Sequence, residues 1–120
     1  MRHEFVIEGK PVGYCTNNGR RYNTKRKRIY LAYKQHVQDT VPIELPLHAS
    51  KEQPLIITTR CFFVNGTHPD PENVHKGIKD ALFYGAGGTG DKYTGGSYSP
   101  PLYDKENPRV EVTVELADAE

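Results

Sequence analysis

The chain has 120 residues, of which 36% are hydrophobic, with no tryptophan and a formal net charge of +1. That length builds one domain, residues 1–120, around a single modest core, and no apolar run approaches the ~20 residues that would span a bilayer. The net charge excludes little, but its distribution is lopsided. Lys10, Arg20, Arg21, Lys25, Arg26, Lys27, Arg28 and Lys34 meet no acid between Gly9 and Gln38, whereas acids crowd the segment after Pro101. Such an asymmetry points to a face that binds a polyanion.

In chain order, His3, Phe5 and Ile7 alternate with Glu4, Val6 and Glu8, which predicts a short half-buried strand. Pro11 to Asn23 is turn-rich and reads as a loop. Asn23-Thr24 can cap a helix from about Lys25 to His36, with Ile29, Tyr33 and Val37 as its stripe and Ala32 beside them. Its basic first turn opposes the helix dipole, so function rather than stability accounts for those charges. Asp39 to Pro54 is punctuated by prolines and reads as a loop or irregular strand. Leu55 to Val64 is apolar on both faces, as expected of a central strand. A second helix opens at Pro71, and Val74, Ile78, Ala81 and Leu82 form its buried stripe. Gly85 to Gly90 is a flexible loop, Asp91 to Tyr98 starts a strand, and Arg109 to Leu116 alternates cleanly as another. The tail beyond Ala117 is expected to fray. The fold class is therefore α+β: a mixed sheet of about four strands packed against two helices.

Cys15 and Cys61 lack close spacing, and no secretory signal is read ahead of them, so reduced thiols in a cytoplasmic protein are expected. His36, His48, His68 and His75 show no zinc spacing either. Gly85-Ala86-Gly87-Gly88-Thr89-Gly90 spells the dinucleotide fingerprint, but a helix precedes it where a strand is required. A hinge is the better reading, and a nucleotide-binding protein is the distant alternative. The run from Arg20 to Tyr30 interleaves basic residues with Tyr22 and Tyr30, a pattern suited to phosphate contact with aromatic stacking or to a solvated helix face.

Residues 70–82 concentrate the remaining chemistry. Asp70 and Glu72 stand at a helix mouth, where capping alone would account for them. Asn73, Lys76 one turn beyond Glu72, and Asp91 after the glycine loop favour a second reading. Clustered carboxylates beside a cation can hold a divalent ion and neutralise a transferring phosphate.

Asp70-x-Glu72-Asn73-x-x-Lys76, running on to Asp80-Ala81-Leu82, resembles the RusA-type Holliday junction resolvases, small bacterial and phage-encoded endodeoxyribonucleases. The likeness spans nearly the whole chain. It takes in Asn17-Asn18-Gly19-Arg20, the basic helix, the long strand, Asp91-Lys92-Tyr93 and Pro108 to Val112. The resemblance implies a homodimer that cuts a four-way DNA junction with Mg²⁺, or Mn²⁺ in its place. Asp70, Glu72 and Asp91 would be the metal-binding acids, with Glu72 where aspartate is usual, and Lys76 the assisting lysine. Arg20, Arg21, Lys25, Arg26, Lys27 and Arg28 would track the DNA backbone. The alternative is a relative that binds junctions without cutting them.

Overall fold

Two long stretches of alternating residues, Leu55–Phe63 and Arg109–Leu116, pair side by side and set the plane of the molecule. A computed structural model describes residues 2–15, 25–42, 45, 47–84 and 87–117. In chain order these form β1 (Arg2–Glu8), α1 (Lys25–Thr40), β2 (Leu55–Phe63), α2 (Pro71–Phe83), β3 (Thr94–Tyr98), β4 (Leu102–Tyr103) and β5 (Arg109–Leu116). A 3-10 turn at Asp91–Tyr93 leads into β3. The sheet has five strands in the order β1-β5-β2-β3, with β4 also on β2. β5 is antiparallel to both neighbours, whereas β3 and β4 run parallel to β2. The expected α+β architecture is present, and the additional strand is the two-residue β4.

Side-chain alternation decides what the sheet buries. Leu55, Ile57, Thr59, Cys61 and Phe63 of β2 all point into the core, as do Val110, Val112 and Val114 of β5 and Phe5 and Ile7 of β1. Both helices cover this face. On the other face Phe62 lies under the Arg109 guanidinium, 3.9 Å from its centroid, and Arg109 ion-pairs with Asp104 and Glu111. Arg109 holds the Asp104 carboxyl below the usual carboxylate range. Burial of Cys61 pushes its thiol up to about 12, and neither Cys15 nor Cys61 forms a disulfide. Among the described residues no helix is long and apolar enough to cross a membrane.

The first helix departs from the expected one. It continues to Thr40, and its buried stripe is Tyr30, Tyr33 and Val37, while Ile29 is 46% exposed and Ala32 faces outward. Tyr33 and Val37 keep their expected places; Ile29 lies about 40° to one side of Tyr33 and Tyr30 about 60° to the other, so the buried stripe moves by about 30° and leaves Ile29 at its edge. The cause is polar. Tyr30 donates to Asp80 Oδ2 at 2.5 Å, and Lys34 pairs with the same oxygen at 3.0 Å, so α1 is clipped to α2 by a carboxylate. Tyr30 is thus a packing residue whose ring meets Tyr14 edge-on, and no base can stack on it. Residues 16–24, with Arg20, Arg21, Tyr22 and the proposed cap, lie outside the described residues, as do Gly85, Ala86 and the tail at 118–120.

Tyr33 presents a buried hydroxyl that meets no hydrogen-bond partner among the described residues. Burying an unpaired hydroxyl costs about 1–3 kcal/mol, and phenylalanine fills the same space without it. Tyr33→Phe should therefore raise the free energy of unfolding by about 1 kcal/mol in urea melts; a loss of stability would mean the hydroxyl is satisfied.

Candidate functional site

Asp70 caps α2: its Oδ1 accepts from the Glu72 amide at 3.0 Å, and its carbonyl accepts from the amides of Asn73 and Val74. Pro71 follows at the first helical position, where its fixed φ and missing donor cost nothing. Asp70 stands outside the helix as its N-cap, with an extended ψ of 129°, and its side chain turns to the Glu72 amide rather than following the direction of the Glu72 side chain. Glu72 looks into a cleft of about 510 Å³, while Asp70 lines a separate groove of about 380 Å³ with Pro69, Asn73, Arg26 and Ile29.

The cleft runs along one polar stripe of α2, with Glu72, His75, Lys76, Lys79 and Asp80 at helical spacing. The opposite stripe, Val74, Ile78, Ala81 and Leu82, is fully buried. Tyr14 closes one side, where the Lys76 ammonium sits 4.8 Å from its ring centroid. Asn73 fixes that segment: it donates from Nδ2 to the Tyr14 carbonyl at 3.1 Å, and its own carbonyl accepts from the Tyr14 amide at 3.0 Å. The role of Asn73 is therefore to clasp the wall of the cleft. Gly95, Gly96 and Tyr98 of β3 form the other side.

Asp91 enters at the far end. It opens the 3-10 turn rather than a strand, because Gly90 before it adopts a left-handed φ of 80°. Any side chain at 90 would also overlap the Ala49 carbonyl, so glycine is required there. Hydrogen bonds from the Thr89 amide to Leu47 and from the Ala49 amide to Thr89 hold this loop in place. The Asp91 carboxylate then accepts from the Tyr84 hydroxyl at 3.2 Å and lies 3.8 Å from the Lys79 ammonium. Its proximity raises the Tyr84 phenol above its ordinary value. Glu72 and Lys79 are seven positions apart, about 10 Å of helix rise, so the two acids bracket the length of the cleft.

Glu72, Lys76 and Asp91 are thus gathered in one cleft, and Asp70 is not. Among the described residues no three of His, Cys, Asp or Glu converge closely enough to hold a metal ion. Of the basic helix, Lys25, Arg26 and Arg28 are exposed and Lys27 is half-buried. Arg26 stands beside Asp70, on the other side of the α2 entry from Glu72. His75, Lys79 and Tyr84 escaped the sequence reading, although a count of i+3, i+4 and i+7 from Glu72 finds the first two. No family model matches the chain, and no curated protein matches its sequence.

His75 is half-buried, and its Nδ1 lies 2.9 Å from the Oγ1 of Thr59, which is fully buried on β2. Burial first, then the Lys79 ammonium, lowers its pKa from the usual histidine value. A histidine with a depressed folded pKa binds its proton more readily when unfolded, so stability falls as pH drops below about 6.5. His75→Gln should flatten that acid-side slope in melts between pH 7 and pH 5. An unchanged slope would assign the loss to other groups.

Proposed function

We propose that the chain is an Mg²⁺-dependent endodeoxyribonuclease that cuts four-way junctions or other branched DNA in recombination and repair, working as a homodimer. The observation that carries this reading is the convergence of Glu72, Lys76 and Asp91, from two separate segments, on one cleft with a second lysine, Lys79. The donor chemistry fits a hard divalent cation, since Mg²⁺ commonly takes one or two carboxylates and completes its shell with water and substrate phosphate. It does not fit a cage of three carboxylates, and Asp70 could join the others only by leaving the Glu72 amide.

Because Glu72 and Asp91 stand at opposite ends of the cleft, each would offer a single carboxylate to such an ion, with water and the substrate phosphate completing its shell. When bound, the ion neutralises phosphate charge and lowers the pKa of an attacking water. Lys76 and Lys79 attract the strand and balance charge on its phosphodiester. Lys25 and Arg26 lie outside the cleft, where they can follow the backbone of an adjoining arm. Tyr98, an exposed ring on the cleft wall, offers a surface to a base displaced at the branch point.

The separation of Asp70 from the other two acids favours a second reading, a junction-binding protein that does not cut. Incubation with a synthetic four-way junction, with Mg²⁺ or with EDTA, separates the two. Nicking only with Mg²⁺ supports the nuclease; retarded but intact junction in both supports the binder.

For the nuclease, Glu72→Gln and Asp91→Asn should each lower cleavage by on the order of 100-fold while junction affinity stays near that of the parent protein. Near-normal cleavage in both would remove these acids from the chemistry. Replacing Lys25 and Arg26 together with alanine should reduce the slope of log affinity against log salt by up to ~1.8. An unaltered slope would mean that these charges only face solvent.

A further inference from the structure

His75 lies along the cleft between Glu72 and Lys79, one residue before Lys76, and its hydrogen bond to Thr59 fixes more than its position. The Thr59 side chain is fully buried, so its hydroxyl proton needs an acceptor. Among the described residues the group within reach is His75 Nδ1 at 2.9 Å. If Thr59 donates there, Nδ1 carries no proton and the neutral ring must hold its proton on Nε2. Nε2–H is then a donor, and it belongs to the edge of the ring that Thr59 leaves free for the cleft.

From this geometry we infer that His75 is a neutral hydrogen-bond donor to a phosphate oxygen of the strand seated between Lys76 and Lys79. This rests on reading the cleft as a site for DNA cleavage, and it adds a residue to that site. Burial and Lys79 both disfavour the imidazolium, so the ring stays neutral while it donates. No bond to the ring is made or broken, and no proton leaves it. The tilted Tyr98 ring, 6.0 Å from His75 between centroids, limits rotation that would carry Nε2 away. A donor set on a buried threonine is pre-organised: it needs little reorganisation when charge develops on the phosphate.

The test combines imidazole ¹⁵N NMR on the intact protein with cleavage by variants. In the free protein near pH 7.5, His75 Nδ1 should resonate as an unprotonated nitrogen and Nε2 as a protonated one. A protonated Nδ1 would overturn the inference. Adding a four-way junction in EDTA should shift the Nε2–H resonance of the wild-type chain. Junction that binds with this resonance unmoved would remove the donor role alone. Failure of the junction to bind at all would remove the nuclease reading and the donor role with it. In cleavage with Mg²⁺, His75→Ala should lose ~10- to 100-fold in kcat with little change in KM, as expected for a hydrogen bond to a charged group. His75→Gln, whose amide reaches the place of Nε2, should keep most of the activity. His75→Asn, which reaches only as far as Nδ1, should not. Equal activity in all three variants would show that the side chain only packs.

Discussion

Val74, Ile78 and Leu82 are wholly buried between α2 and the sheet, and each contributes about 1.5–3 kcal/mol by leaving water. Their spacing also fixes the rotation of the helix. Once that stripe faces the core, Glu72, Lys76 and Lys79 have no choice but to line the opposite rim, because the 3.6-residue period assigns every position a direction. The cleft therefore exists because of the core beneath it. A helix rotated by one residue would expose Ile78 and draw a lysine against β2, a loss far larger than any ion pair on the rim could offset. Gly77 adds to the same constraint, since a Cβ there would lie 3.2 Å from the Tyr30 ring and 3.4 Å from the Tyr14 amide.

The β2-α2-β3 crossover supplies the second wall. Parallel pairing of β3 with β2 brings residue 94 level with Leu55, at the end of the sheet opposite the entry to α2. Asp91 consequently arrives beside Tyr84 and Lys79, near the C-terminal end of the helix, whereas Glu72 stands in its first turn. The cleft has an acid at each end and cations between.

Strong periodicity made much of this legible in the sequence. The strands at 55–63 and 109–116 and the buried face of α2 follow from alternation and from 3.6-residue spacing alone. Where the reading failed, the deciding partner was remote. Tyr30 looked like a stacking platform among basic residues, and only Asp80, fifty positions away, draws it inward. Ile29 looked like core, but the same contact turns it to solvent. His75 lacks zinc spacing; its place on the Glu72 face could be counted from the sequence, but its significance comes from Thr59 on a neighbouring strand. The start of β3 was misjudged because a left-handed glycine precedes it, and glycine-rich sequence does not announce which of its members will adopt positive φ.

Asp70 shows how a single carboxylate can satisfy two descriptions. As a cap, it removes an orphan amide at the start of α2, a contribution of about 1 kcal/mol that also positions Glu72. As a ligand it would have to point the other way. The two roles compete: the cap oxygen must stay near the Glu72 amide, and the residue as a whole lines a groove separate from the cleft. On the proposed nuclease reading, a DNA strand in the cleft would carry its own negative charge, and a cation drawn in with it could supply the energy to pull Asp70 from its cap. The exchange is uphill by roughly the value of the cap, so it needs a cation bound more tightly by three acids than by two. With the cap intact, Asp70 acts by holding the first turn of α2 in register.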